Sequence, residues 1–178
     1  MIAFVAIDAH AAELLAGFGA APLPARVGAA IGGFGGLTTR RAGGTLDPPE
    51  ARALLLEQGD VRVAIVAVDI VIPRPNLREA LLEQIAPLGI DLLALVATHT
   101  HSGPGGYLPG FLAERVAGGE YDPEQPARIA RAAALALELA VGDLAPAKLA
   151  SGSARVALAR NRRLSGGRAR GWREHLAR

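Results

Sequence analysis

The middle of the chain alternates between two kinds of hydrophobic pattern. Val61–Ile72 is almost wholly apolar and rich in β-branched residues, and Leu92–Ala97 is an apolar run too short for a helix. Both read as strands, and a run apolar on its two alternating faces predicts a central one. Between them Leu77, Ala80, Leu81, Gln84, Ile85 and Leu88 recur at helical spacing. Asn76 and Glu79 stand at capping-box spacing before this helix, and Gly89 is placed to end it. Strand, helix and strand in this order predict a βαβ unit with parallel strands and a right-handed crossover. Ala51–Glu57 precedes it as a further strand, joined to Val61 through a hairpin-like turn at Gln58-Gly59-Asp60. The fold class expected is α/β, a mixed sheet containing a βαβ unit with flanking helices.

The flanks are less regular. A short helix is expected around Ala11–Leu15, broken by Gly17-Phe18-Gly19, with Pro22 and Pro24 holding the next residues extended. Gly28–Gly44 is dominated by glycine but matches neither dinucleotide nor P-loop spacing, and no clear strand leads into it. An active-site loop and a plain surface loop both remain open for it, and Arg40 and Arg41 either meet a polar substrate or are solvated. Tyr107–Leu112 reads as irregular surface. Asp122-Pro123-Glu124-Gln125 has helix-start chemistry that Pro126 should delay by a turn, ahead of a strong alanine-leucine helix over Ala127–Val141. Lys148–Leu158 is expected to be a last strand. The Arg/Gly-rich tail at 165–178 carries no core pattern and is expected to be disordered, leaving 1–164 as the domain.

Composition narrows the function classes. At 178 residues the chain is one domain by length, and 51% hydrophobic residues suffice for a core. Aromatic residues are only 4%, which argues against base-stacking platforms and a nucleic-acid partner. The pI near 9.6 reflects arginines clustered from Arg160 to Arg178, since the net charge is only +2. With no cysteine, disulfides and thiolate metal sites are excluded. Met1–Ile7 is apolar but has no basic residue before it and is interrupted by Asp8 and His10. The expectation is therefore a cytoplasmic chain with no signal peptide and no transmembrane segment. His10 itself reads as a solvated residue.

Candidate chemistry concentrates in Thr98-His99-Thr100-His101-Ser102-Gly103-Pro104-Gly105-Gly106. In an extended chain His99 and His101 would point to one face, with Thr98 and Thr100 on the other. The glycine-rich turn beyond them lets backbone approach a ligand, and ligands of open α/β sheets bind where strands end. Imidazole is a common zinc ligand, but a catalytic zinc usually takes three protein ligands, so two histidines only begin a site. Asp69, near the end of the preceding strand, would lie on the same sheet edge. An acid in an apolar run needs a partner or a cation, unless it merely caps a loop.

Gly17-Phe18-Gly19, Gly32-Gly33-Phe34-Gly35, Ala51-Arg52-Ala53-Leu54, the strand ending at Asp69, Ala97-Thr98-His99-Thr100-His101-Ser102-Gly103-Pro104 and Asn161-Arg162 follow one another in an order that resembles the N-terminal part of neutral/alkaline non-lysosomal ceramidases. The His-Thr-His-Ser-Gly-Pro block is the specific element. The resemblance implies a zinc-dependent amidase that cleaves N-acylsphingosine, a lipid-like amide, to a fatty acid and a sphingoid base. By position, His99 resembles a zinc ligand, His101 the substrate-contacting histidine that assists catalysis, and Arg162 the pocket arginine. The family usually follows that arginine with Ser-Pro, where Arg163 and Leu164 stand here, and its early Ile-Thr-Pro is replaced by Ala20-Ala21-Pro22. The family's other ligands, a histidine, a glutamate and a tyrosine, lie further along. The expectation is thus an incomplete, truncated catalytic domain holding half a site. Two alternatives stay open on the residues: another metal-dependent amidohydrolase with a His-x-His strand end, and a non-catalytic α/β module whose glycine turn binds a ligand.

Overall fold

The computed structural model describes residues 12–34, 40–154 and 156. Ala6–Lys148 forms one compact unit and contains every element below. Of the residues beyond that unit, 149–154 and 156 are described and carry no regular secondary structure. The expected strand over Lys148–Leu158 is therefore not formed in its described part. His10, Arg162 and the tail lie outside the described residues, as does the domain boundary expected after Leu164.

The elements are β1 (Leu14–Pro22), β2 (Glu50–Gln58), β3 (Val61–Val68), α1 (Pro75–Ile85), β4 (Leu92–Ala97), α2 (Phe111–Ala113), α3 (Gln125–Gly142) and β5 (Ala145–Pro146). They build one five-stranded sheet in the order β4-β3-β2-β1-β5. β3 and β4 are parallel, as a crossover through α1 requires, and the other pairings are antiparallel. The expected hairpin forms with Gln58 opposite Val61, and Gly59 takes the positive φ of +59° that the turn needs.

α1 and α3 pack together on one face of the sheet. Leu55, Val66 and Val68 from the strands meet Leu77, Leu81 and Ile85 of α1 and Ile129 and Leu137 of α3 in a fully buried core. The opposite face is also apolar, with Phe18, Leu54, Ile65 and Val96 exposed. β3 is interior to the sheet as expected, but it is deeply buried on one face rather than two.

Three local expectations are corrected. Gly17 and Gly19 do not break a helix: they lie within β1. A Cβ on Gly17 would sit 2.0 Å from the Ala140 carbonyl oxygen, and one on Gly19 2.1 Å from that of Ala136. Glycine here lets the α3 backbone lie directly on the strand, a long-range requirement that overrides local propensity. The helix α1 has no side-chain cap either: Arg74 is the N-cap, with Pro75 inside the first turn. Asn76 instead donates from Nδ2 to the Tyr107 carbonyl at 3.2 Å, so the capping box with Glu79 is not made. Pro126 causes no delay, because a proline in the first turn lacks only an N–H that no helical carbonyl would have accepted. Asp122 and Glu124 hold Arg128 at 2.6 and 2.7 Å just after that start. The bond to Arg128 lowers the Asp122 carboxyl below its ordinary range.

Tyr107 was expected at the surface but is fully buried. Its hydroxyl accepts from the Ile72 N–H at 3.2 Å and donates to the Ile72 carbonyl at 3.1 Å, tying the turn after β4 to the segment after β3. Burial raises its ionisation above the ordinary phenol value. No helix among the described residues is long and apolar enough to cross a membrane.

Gly19→Ala should lower unfolding free energy by about 1–3 kcal/mol, because the added methyl overpacks the strand–helix contact. Urea denaturation showing no loss would remove the close-approach explanation. Because the fold holds the Tyr107 proton more tightly than the unfolded chain does, its contribution to stability is complete below about pH 10 and declines as pH rises beyond it. Tyr107→Phe should cost ~1 kcal/mol at neutral pH through the lost hydroxyl bonds. The variant should also show a shallower alkaline loss of stability in denaturation curves taken between neutral and strongly alkaline pH.

Candidate active site

The parallel pairing of β3 and β4 brings the ends of both strands to one sheet edge, with Val68 opposite Ala97. Asp69 and Thr98 are the next residues on each, and Thr98 Oγ1 donates to Asp69 Oδ1 at 3.0 Å. From the other side, hairpin register places Glu50 beside Asp69: the Glu50 N–H donates to Asp69 Oδ2 at 2.9 Å, and the Asp69 N–H donates to the Glu50 carbonyl at 2.9 Å. Arg52 Nη1 reaches both carboxylate oxygens, at 3.2 and 3.1 Å, while its Nη2 pairs with Glu50 at 3.0 Å. Asp69 thus has partners, and its side chain is only 16% exposed. Arg52 is far more exposed, so the ion pair contributes about 1 kcal/mol or less. The hydrogen bonds from Glu50 and Thr98 to a charged acceptor are each worth about 1.5–3 kcal/mol and dominate.

β4 stops at Ala97, and the chain is no longer extended at the histidines. His99 is the one non-glycine residue with positive φ among those described, at +60°. That conformation costs roughly 1–3 kcal/mol and persists where neighbours over-determine it. His99 Nδ1 lies 2.7 Å from the Val71 carbonyl oxygen. A carbonyl only accepts, so Nδ1 is the donor here, and in the neutral ring that leaves the lone pair on Nε2. The simple strand-face alternation is corrected, but the rings still meet, with His99 and His101 centroids 5.2 Å apart at 61°. Both histidines are exposed.

The glycine-rich segment lies beside this turn. Ile31 bridges to Pro104, the Gly32 N–H donates to the Gly103 carbonyl at 3.2 Å, and the Gly105 N–H donates to the Ala30 carbonyl at 2.8 Å. A Cβ on Gly33 would fall 2.4 Å from Cγ of His101, so the backbone lies against the imidazole. Phe34 meets His101 edge-on at 5.9 Å, and the Arg40 guanidinium stacks on Phe34 at 4.2 Å. A cleft of about 860 Å³ opens here, walled by His101, Phe34, Arg40, Arg52, Asp69 and Asp47 among others.

His99, His101 and Asp69 are thus brought to one edge, as read from the sequence. Arg52 and Phe34 were missed as members of the site, while Arg40, left open between meeting a substrate and being solvated, stands in the cleft wall. Arg52 had a legible signal: stepping back along the hairpin from its turn sets Glu50 opposite Asp69, with Arg52 two residues on and on the same side of the strand. Phe34 had none, because its approach to His101 depends on where the glycine segment lies. Among the described residues no three His, Cys, Asp or Glu side chains gather as a metal cluster. The donor set present nonetheless suits a partial one, because a metal-ligating histidine typically donates its other N–H to a carbonyl, as His99 does to Val71.

Comparison with known proteins bears on the fold and the family. The neutral ceramidase of Mycobacterium tuberculosis is 32% identical over 98 residues, which cover 52% of this chain and 15% of that protein. The crystal structure of neutral ceramidase from Pseudomonas aeruginosa superposes with a TM-score of 0.66 at 23% identity, over 76% of this chain and 22% of that one. A structure described as ceramidase complexed with C2 gives 0.62 at the same identity and coverage. The chain therefore spans well under a third of the length of these relatives. The model of neutral/alkaline non-lysosomal ceramidase, N-terminal, matches residues 25–166, and the chain belongs to that family.

Proposed function

We propose that this chain supplies the histidine half of the active site of a zinc-dependent amidase acting on N-acylsphingosine. The observation that carries the reading is the 2.7 Å contact between His99 Nδ1 and the Val71 carbonyl, which in the neutral ring leaves Nε2 open, beside a second imidazole at the cleft wall. When bound, zinc supplies Lewis-acid chemistry that polarises an amide carbonyl and makes water a competent nucleophile near neutral pH. His99 would hold the ion through Nε2, with further donors from parts of a catalytic domain outside the matched segment.

His101 is the proton carrier in this reading. Its ring lies against the Gly33 backbone and near Phe34 and lines the cleft, where it can deliver a proton to the leaving amine. Arg162 is proposed, on the family resemblance alone, to line the same pocket. The substrate assignment draws on family membership, and the cleft wall's mixture of Phe34 with charged groups suits an amide that joins an apolar chain to a polar head.

Zinc titration of the purified chain should show weak binding that His99→Ala weakens at least tenfold, since losing even an outer-shell partner costs about 10–100-fold. His101→Ala should leave that binding nearly intact. Equal losses in both variants would reassign His101 to the metal, and zinc binding unaffected by either would sink the reading. With zinc and the remainder of a family catalytic domain added, fatty-acid release should favour ceramide over an N-acyl amino acid. His101→Ala should lower that rate by about 10²–10⁴-fold.

A further inference from the structure

We infer that Asp69 is the positioning residue that sets the conformation of His99, acting through Thr98. Two contacts and one short stretch of chain converge on it. Its carboxylate accepts the hydroxyl of Thr98, the residue immediately before His99. Its main chain leads in two residues to Val71, whose carbonyl holds His99 Nδ1. Its own carbonyl faces Gly103, where a Cβ would stand only 2.1 Å away, so the turn after the histidines is seated on the same residue. The left-handed His99 at φ +60° is thus fixed in front, at its ring and behind by one short segment.

Asp69 is not itself positioned to bind a metal. A carboxylate has about four acceptor sites. Thr98 and Arg52 share Oδ1, while the Glu50 N–H and Arg52 share Oδ2, so those sites are filled. The donors on one side belong to the hairpin and on the other to the histidine segment. The carboxylate therefore transmits the rigid register of β2 and β3 to a residue outside regular structure. Its consequence for zinc rests on the reading of His99 as a ligand, but the inference concerns a ring orientation present without metal.

The test is nitrogen NMR of the imidazoles in the whole chain, without zinc, at a pH where they are neutral. Wild type should show His99 almost wholly protonated at Nδ1. Thr98→Val keeps the side-chain shape and the Arg52–Asp69 pair but removes the donor. The ratio of Nδ1–H to Nε2–H should then fall roughly two- to tenfold, the equilibrium equivalent of one net hydrogen bond. Asp69→Asn should shift it the same way, and Thr98→Ser should restore it while Tm and amide signals remote from the turn stay unchanged. A His99 signal that keeps the wild-type ratio in Thr98→Val overturns the inference. If Asp69→Asn fails to fold, Thr98→Val alone decides. Because the readout needs neither zinc nor turnover, a failed amidase or zinc assay is distinguishable from a failed positioning role.

Discussion

The carboxylate of Asp69 joins three segments that are far apart in sequence. Glu50 and Arg52 come from the second strand, Asp69 from the end of the third, and Thr98 from the end of the fourth. A poorly solvated carboxylate is costly unless its acceptor sites are filled, and here the filling groups are the ones that define the sheet edge. The same need for hydrogen bonds that makes the acid tolerable determines where the histidine segment leaves the sheet. Backbone strain at His99 is then sustained by the Thr98–Asp69 and His99–Val71 hydrogen bonds, which span 29 and 28 residues of chain.

Close backbone approach is the second constraint. Gly17 and Gly19 admit the carbonyls of α3 to the sheet, Gly103 admits the Asp69 carbonyl to the turn, and Gly33 admits the His101 ring to the loop. In each case a side chain would occupy space that the fold uses for another segment. The glycine content that makes the N-terminal half look irregular is thus partly a packing device. It connects the core, where α3 lies on β1, to the site, where the loop lies on an imidazole.

The βαβ unit, the hairpin before it and the long final helix were legible because each rests on local chemistry: apolar periodicity, a glycine turn and helix-forming residues in sequence. The edge position of Asp69 followed from topology, whereas the pairing of His99 with His101 was read from strand alternation and is made instead in a turn, with His99 left-handed. β1 was misread because its glycines suggest a break when neighbours in sequence alone are considered. Asn76 was misread as a cap because its amide is claimed by Tyr107, a residue 31 positions away. Tyr107 looked like surface because its partner, the Ile72 backbone, is 35 positions away.

Residue pattern was sufficient to specify an α/β sheet with two imidazoles beyond a strand end, and the His-Thr-His-Ser-Gly-Pro block to point to the family. Hydrophobic period and turn chemistry act over a few residues, so they need no folded context. The left-handed His99, its tautomer, the filled acceptor sites of Asp69 and the packing of Gly33 and Phe34 on His101 are of another kind. Each depends on groups 17 to 68 residues apart meeting within hydrogen-bond or van der Waals distance. Only chain folding brings them together, because directionality and contact distance are properties of positions in space.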